Sequence, residues 1–587
     1  MGRLRARRSQ WEIALDTCGL IALHTGHGSQ IPCNKLHGEA GVVLGTLFHK
    51  DDNLEFQRAR GPFDDQETAA IIYTRGRQLV SRYWGQYLAI FRDNATDRTF
   101  VLREPSGAVT CYMTRSEGLH IVFSHLEDCV QAGLSAFSVD WTHVSALAAG
   151  VPLQTGASLL NDVADVRAGE LLELKADAVT RSFLWSPIEI AQTDPIENPH
   201  EAIRSLRTTV SACIRALVAD HSRIIHHLSG GLDSAIVLSC LTDAPNQPHI
   251  TSLNYYTTAT EGDERRYARV GAEHFGTELL ERHLDRTRVD LSHALEASPT
   301  LTPAGYVLEL LHGPFETDLA KHRSATAFFQ GGGGDGVFLL NGAEHAPVDY
   351  IQRHGFKPRL LRVAYDVARI TRRSLWSVLA DSFDGNSRAS RWKHAIVEEM
   401  PATFITAEVV DSLKQDMNRL FHPLLGTSDV PAGKLWHIFI SNAPSPLCRP
   451  FARYERPDAV LPLVAQPIYE LCLRIPTYVL LDGGWDRAIA RRAFENRLPM
   501  KIVARRSKGG VDQMVRNILE DNIKFVQELL LDGALVRERI VDRAKLEHFL
   551  RSPLPAESRA SNEVIVPLFD AEVFLHGWAG AQRQPAA

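Results

Sequence analysis

The string Ser229-Gly230-Gly231-Leu232-Asp233-Ser234 sets two hydroxyls, two glycines and a carboxylate within one short turn. Residues 223–228 before it read as a β-strand, and the apolar run 235–241 after it reads as a helix. Paired glycines let the chain turn sharply and let a ligand come close to the backbone. Ser229 and Ser234 offer hydroxyls, and a helix start offers N–H groups with no partner of their own. Together they form an anion site suited to phosphate. Asp233 beside a phosphate calls for a cation between the two, and Mg²⁺ takes carboxylate and phosphate oxygens together. The loop lacks the Gly-Lys-Ser/Thr of a Walker A motif and is no dinucleotide fingerprint. The bland alternative is a generic Gly-Gly turn.

A second glycine loop has the same setting. The apolar segment Ala325-Thr326-Ala327-Phe328-Phe329-Gln330 reads as a buried strand and runs into Gly331-Gly332-Gly333-Gly334-Asp335-Gly336. Four consecutive glycines forbid regular structure and give a backbone able to hug a ligand, with Asp335 as the local charge. A flexible linker is the alternative, but apolar residues flank it on both sides. Further on, Arg505-Arg506-Ser507-Lys508-Gly509-Gly510 is a basic turn after a helical segment over 486–497. It is either a solvated turn or a source of positive charge for developing oxyanions. Asp263 and Glu264 stand at a helix start, where acidic residues are ordinary caps. Glu309 and His312 share one face of a helix before the second glycine loop.

These strings resemble the pyrophosphate-binding machinery of ATP pyrophosphatases that form acyl-adenylates, the asparagine synthetase type among them. The resemblance implies ATP and Mg²⁺ as cofactors, with ATP cleaved between its α and β phosphates. It implies that Ser229, Gly230, Gly231, Leu232, Asp233 and Ser234, with Gly331 across from them, bind the nucleotide phosphates. It makes Asp335 a second metal ligand beside Asp233, and Lys508 the cation that reaches the reacting phosphates and carbonyl. Leu253, read as the end of the second strand, would lie along the adenine. Arg487 and Arg491 match the family's K-x-x-L-R region loosely and are expected to be scaffold. The sequence departs from asparagine synthetases at Gly332 and Gly336, where those enzymes carry acidic residues. In β-lactam-forming relatives a Tyr at the first of these places starts a proton-abstracting dyad, so that base is missing. A glycine there is expected to open the pocket for a substrate larger than a free amino acid. Glu309 and His312 are the candidates for a replacement base, with a plain amphipathic helix as the alternative.

The N-terminal part resembles a glutaminase domain without its chemistry. Glutamine-dependent synthetases use an N-terminal Cys whose free amine acts as base. This chain begins Met1-Gly2, and Cys18-Gly19-Leu20 only imitates the usual start. Cys18 could serve only after removal of the residues before it, or with a different start codon. Tyr83-Trp84-Gly85-Gln86-Tyr87-Leu88-Ala89 and Arg103-Glu104-Pro105-Ser106-Gly107, with Cys111-Tyr112 after it, are similar to strings of lasso peptide cyclases, with Glu104 in place of the usual Asp. That resemblance covers most of the chain and is weakest over 344–429. It implies an ATP-dependent macrolactam synthetase. An Asp or Glu side chain of a precursor peptide is adenylated, and the peptide's N-terminal amine closes the ring, with a leader peptidase and a leader-binding RiPP recognition element as partners. The alternatives are an ammonia-dependent asparagine synthetase-like or β-lactam synthetase-like enzyme on a small molecule, and an inactive scaffold that binds a peptide.

These residues need a rigid frame, and the chain is long enough to build one. It has 587 residues, 44% hydrophobic and 23% charged, which excludes a disordered chain, a collagen-like fibre and a coiled-coil rod. A formal net charge of -6 gives no pull toward nucleic acid. The eight cysteines are widely spaced with no C-x-x-C pair, which argues against a disulfide framework or structural zinc. No apolar run approaches the ~20 residues of a membrane span, so a cytoplasmic location is expected. The expected fold class is α/β. Residues 1–191 form a glutaminase-like (Ntn-type) sheet-rich sandwich, 192–200 a linker rich in Pro and polar residues, and 201–587 an ATP-pyrophosphatase domain. That last domain has a parallel sheet and a helical C-terminal part. Helices are expected over 65–80 and 201–220, and strands over 41–48, 87–91, 99–102 and 120–124.

Overall fold

The computed structural model describes residues 11–25, 31–131, 133, 137–151, 158–257, 263–303, 305–383, 404–416, 420, 430–441, 451, 456–506, 509–551 and 558–583. Lys508, the basic residues before Trp11 and the last four residues lie outside them.

The first half is built from strands β1 (Trp11–Thr17), β2 (Leu20–Thr25), β3 (Cys33–Lys35), β4 (Gly41–His49), β5 (Tyr83–Asp93), β6 (Arg98–Arg103), β7 (Tyr112–Ser116), β8 (Leu119–Phe123), β9 (Ala164–Asp165), β10 (Glu170–Leu174) and β11 (Val179–Phe183). Six of them form an antiparallel sheet in the order β11-β10-β6-β5-β4-β3, and β8-β7-β9 form a second. Val101, Cys111, Val166 and Leu172 are buried together between these sheets, which makes a sandwich. The turn joining β5 to β6 is set by Asp93, whose carboxylate accepts from the Ala95 N–H at 3.0 Å and the Thr96 hydroxyl at 2.6 Å. The helix expected over 65–80 is two helices, Asp65–Tyr73 and Arg77–Arg82, because Gly76 takes a φ of 84° between them. The hairpin of β1 and β2 pairs Thr17 with Leu20, so Cys18 sits in its turn.

The segment read as a linker is pinned rather than free. Ile196 is buried and donates its N–H to the Arg474 carbonyl at 2.9 Å, and Glu197 accepts from the Tyr478 hydroxyl at 2.9 Å. The helix that follows runs Pro199–Val218, capped by Asn198 and with Pro199 in its first turn, where a missing N–H costs nothing.

The second half holds one parallel sheet of β12 (Arg223–His227), β13 (His249–Tyr256), β14 (Glu278–His283), β15 (Ala327–Gln330) and β16 (Ala459–Val460), in the order β14-β13-β12-β15-β16. The chain moves outward from β12 to β14 and then returns to the other side of β12 as β15. In open parallel sheets this reversal leaves a crevice at the carboxyl ends of the two strands where ligands bind. Both glycine loops emerge there. The helix Leu232–Leu241, buried at every position, covers one face of the sheet. On the other face Ile225, Leu253 and Phe328 pack against Leu319 and Ala320 of the helix Tyr306–Arg323. Leu253 is therefore core: β13 continues to Tyr256, so Leu253 does not end the strand, and its side chain is 1% exposed. The strand end and the side-chain contact are corrected accordingly; contact of adenine along the Leu253 backbone remains what the resemblance implies.

Among the described residues one stretch, Asn562–Gln582 within the helix Ser558–Arg583, is long and apolar enough to cross a membrane, contrary to the expectation from the sequence. Its Leu568, Phe569, Phe574 and Trp578 are buried, with Trp578 stacked on Phe137 at 5.8 Å, as in the core helix of a folded body. The acidic residues within it face polar partners. Glu572 accepts from the Ala534 and Leu535 N–H groups at 2.9 and 2.7 Å, and Asp570 accepts from the backbone of Tyr306 at the start of the helix Tyr306–Arg323.

Two outcomes test this packing. Leu253→Ala should lose about 2–5 kcal/mol in denaturant unfolding, with the volume-conserving Leu253→Met losing under about 1.5. Burial pushes the Asp570 carboxyl up to about 7, opposed by its backbone hydrogen bond. A raised carboxyl disfavours the folded state once the unfolded chain ionises, so stability should fall from about pH 4 to pH 7 and then level off. Asp570→Asn should flatten that fall in a pH series of melting temperatures.

Candidate active site

The loop after β12 is held from three sides. The Leu228 N–H donates to the Leu253 carbonyl at 2.8 Å, and the buried Asn254 amide donates to the Leu228 carbonyl at 2.7 Å. Gly230 has a φ of +75°, and a Cβ there would lie 2.6 Å from the Tyr267 Cβ. The Ser229 and Ser234 hydroxyls lie 3.2 Å apart, the Gly231 N–H donates to Ser229 Oγ at 3.3 Å, and Ser234 Oγ donates to the Gly231 carbonyl at 3.2 Å. The helix Leu232–Leu241 starts with no side-chain cap at Gly231, so its first N–H groups are presented to the crevice. Leu232 contributes only this backbone, since its side chain is buried. Beneath the loop the buried His226 lies 2.9 Å from the Ser234 carbonyl and 3.1 Å from the Phe329 carbonyl, tying β15 to the helix start. Burial pushes its imidazole down to about 4, so it is neutral.

The second loop touches the first. A Cβ on Gly331 would come 2.6 Å from the Ser234 nitrogen, and one on Gly334 would come 2.8 Å from Asp233 Cγ. Only glycines allow this approach. The run is not wholly irregular, because Gly334–Val337 closes one helical turn that carries Asp335. Nor does Gly332 open the pocket as expected: a Cβ there would lie 2.9 Å from Leu461 Cδ2, so the Leu461 side chain takes the space.

Asp233 and Asp335 are brought together at one point. Arg487 Nη1 donates to Asp233 Oδ2 and Asp335 Oδ1, both at 2.9 Å, while Nε donates to Asp486 at 2.9 Å. Burial would lower this guanidinium, but Asp233, Asp486 and Asp335 outweigh it and leave it above its ordinary value. Arg487 was expected to be scaffold; it sits in the site because its φ of 49° turns it inward just before the helix Ala488–Phe494. Arg491 is scaffold, bound to the Asp486 and Val503 carbonyls at 2.9 and 2.6 Å. Among the described residues no group of three or more His, Cys, Asp and Glu could hold a metal. Two carboxylates within reach of one nitrogen do fit a Mg²⁺ that also takes phosphate oxygens, provided Arg487 moves aside.

The basic segment is anchored to the phosphate loop. Arg505 Nη1 donates to the Gly230 carbonyl at 3.1 Å, its Nη2 pairs with Glu264, and Glu264 also accepts from the Gly509 N–H at 2.9 Å. Glu264 is thus a tether rather than a helix cap, whereas Asp263 binds Arg265, which holds its carboxyl down at about 2. Arg506 lies over the Trp485 ring at 3.8 Å. The tether brings the ends of the segment carrying Lys508 to the loop, though Lys508 itself is outside the described residues.

Glu309 and His312 lie on the helix Tyr306–Arg323, which packs on the face of the sheet opposite the helix Leu232–Leu241. Arg456 pairs with Glu309 and donates to Glu316 at 2.8 Å, and the Tyr255 hydroxyl donates to Glu316 at 3.1 Å. His227 Nε2 is 3.3 Å from the same carboxylate. His312 stacks on Tyr255 at 4.3 Å, and burial pushes it down to about 4. It is neutral but a weak base, and Glu309 faces Arg456 rather than His312. The two candidates for a replacement base are thus held by different partners, Glu309 by Arg456 and His312 by Tyr255. The sequence reading missed Arg456, Glu316 and Tyr255, which lie on separate elements and share no local pattern.

The asparagine synthase family matches residues 205–579. No curated protein matches the chain. Two solved structures are similar at a TM-score of 0.17 and 11% identity. One is described as the allosteric regulatory enzyme of purine biosynthesis, with 51% of this chain and 70% of that chain covered. The other is the glutamine phosphoribosylpyrophosphate amidotransferase from B. subtilis complexed with ADP and GMP, with 53% and 66% covered. Scores at this level carry no argument.

Arg487→Gln should leave Asp233 and Asp335 without their shared cation. We expect a loss of about 2 kcal/mol in metal-free unfolding, less than a fully buried pair would cost, because the Asp335 side chain is 37% exposed. Added Mg²⁺ should raise the melting temperature of the variant more than that of the parent.

Proposed function

The chain belongs to the asparagine synthase family of ATP-dependent, AMP-forming ligases, and on that premise we propose that it closes a macrolactam on a precursor peptide, as lasso peptide cyclases do. The observation that carries this reading is the place of Cys18. It lies in a hairpin turn between two paired strands, with Ala14 and Leu15 of the strand before it buried against Ala22 and Val42. It has no free amine there, so the chain does not obtain ammonia from glutamine through it. In this reading the attacking nitrogen comes with the substrate, as a peptide's own N-terminal amine, rather than as free ammonia. The cyclase-like strings around Trp84 and Glu104 support the same choice.

In this reading Ser229, Ser234 and the N–H groups from Gly230 to Ser234 hold the departing pyrophosphate. Asp233 and Asp335 would hold a Mg²⁺, which would supply positive charge to the phosphates. Arg487 gives up its two carboxylates and becomes a cation for the phosphates. Lys508 offers positive charge to the acyl oxygen and phosphate oxygens. A substrate Asp or Glu carboxylate attacks the α-phosphate of ATP and displaces pyrophosphate. The amine then attacks the acyl carbon, loses a proton and displaces AMP. The AMP carries away one carboxylate oxygen and leaves the peptide lighter by the mass of one water. Holding amine and acyl carbon together is itself a large part of the rate. The partners are the precursor peptide, a leader peptidase and a leader-binding protein.

One observation favours a second reading, an ammonia-dependent ligase on a small molecule: Leu461 fills the space beside Gly332 that a larger substrate would use. Product analysis separates the readings. With ATP and Mg²⁺, one reaction holds aspartate and ammonia, and another holds the precursor with its peptidase and leader-binding partner. We expect AMP and pyrophosphate only with peptide, and a peptide lighter by one water. Asp335→Asn should lower that turnover on the order of 100-fold. Turnover with aspartate and ammonia would overturn the peptide reading. ATP cleavage in neither would favour a scaffold without catalysis.

A further inference from the structure

Behind the Asp335 turn lies a buried polar relay that neither loop uses. The helix Ala432–Ser441 packs directly on the turn: a Cβ on Gly336 would come 2.5 Å from the Ile440 carbonyl. His437 on this helix is fully buried, with Nε2 2.9 Å from the Val337 carbonyl, the last residue of the one-turn helix Gly334–Val337. Its other nitrogen, Nδ1, lies 3.1 Å from Lys434 Nζ, which also donates to the Ile475 carbonyl at 2.6 Å and the Cys472 carbonyl at 3.4 Å. Asp349 fastens the start of the same helix, accepting from the Gly433 N–H and the Thr477 hydroxyl, both at 2.7 Å.

We propose that Lys434 and His437 are positioning residues for Asp335: Lys434 fixes which nitrogen of His437 carries its proton, and His437 holds the turn by the Val337 carbonyl. A charged Lys has three donors and no acceptor, and here it has three acceptors. His437 Nδ1 must therefore accept, so the ring proton sits on Nε2 and is donated to Val337. Burial drives His437 well below its ordinary value and keeps it neutral. Burial also lowers Lys434, against the attraction of Asp349. The groups facing Lys434 are Asp349 and Arg353 from one side, Cys472 from another and His437 on its own helix. Once Lys434 loses its proton it can turn a lone pair to His437. The ring proton then moves to Nδ1, and Nε2 faces the Val337 carbonyl bare. The grip on the turn weakens as the pH rises.

The consequence for MgATP rests on the ligase reading; the consequence for the turn does not. The test uses the full chain and four proteins: the parent, His437→Phe, His437→Gln and Lys434→Met. Amide exchange over 334–340 is measured without nucleotide, and MgATP binding by calorimetry between about pH 6 and pH 9, where a lysine lowered by burial titrates. His437→Phe should speed exchange about tenfold and weaken MgATP about tenfold, the factor that goes with one lost hydrogen bond. Gln can donate in the same place and should restore both to within about threefold. The parent should bind MgATP more weakly at the alkaline end, and Lys434→Met should remove that slope. Parent-like exchange in His437→Phe, or a pH slope that persists in Lys434→Met, overturns the proposal. If His437→Phe fails to fold, the Gln and Met variants decide by the same readouts. A parent that binds no MgATP sinks the ligase reading, while the exchange data still judge the relay.

Discussion

Two pieces of backbone touch where no side chain could fit, and the site depends on that contact. Gly331 lies against the nitrogen of Ser234 because β15 is laid beside β12 after the chain has gone out to β14 and back. The reversal places two loops from distant sequence at the ends of adjacent parallel strands. Close packing then converts adjacency into registry: Gly334 against Asp233 fixes how far the Asp335 carboxylate stands from its counterpart. A methyl group at either glycine would push apart the two acids that must share one cation.

Charge compensation follows from that registry. Three carboxylates, Asp233, Asp335 and Asp486, converge on Arg487, and one guanidinium matches them with a fork of N–H donors. Acidic groups gathered this tightly need a cation in the crevice at all times. Arg487 supplies that cation from within the chain and keeps the two loops assembled.

What could be read in the sequence was what is local. The phosphate loop is a strand, a glycine turn and a helix in continuous order, and its residues fall where their types suggest. The parallel sheet and the sheet-rich first half also follow from runs of apolar residues broken by Asn, Asp and Gly. The misreadings concern contacts across the fold. Leu253 looked like a strand end, but the strand continues and the Asn254 amide that follows it holds the loop after β12. Gly332 looked like a vacancy because Leu461 lies far along the chain. Arg487 looked like scaffold because nothing local reveals a left-handed backbone ahead of a helix. Glu309 and His312 share a helix face, yet Arg456 and Tyr255 from other elements claim them separately.

The sandwich of the first half is not detachable. Glu470, on the helix Gln466–Arg474, accepts from Trp185 at 2.9 Å and from Lys50 at 3.3 Å, both residues of the first half. The far end of that helix supplies the Cys472 carbonyl, and Ile475 just beyond it supplies another, to Lys434. One rigid rod therefore has its flank in the sandwich and its tip in the relay behind Asp335. A strain applied to the first half, by truncation or by a protein that grips it, arrives as a displacement at the phosphate crevice. Through that helix the sandwich is mechanically continuous with the packing behind Asp335.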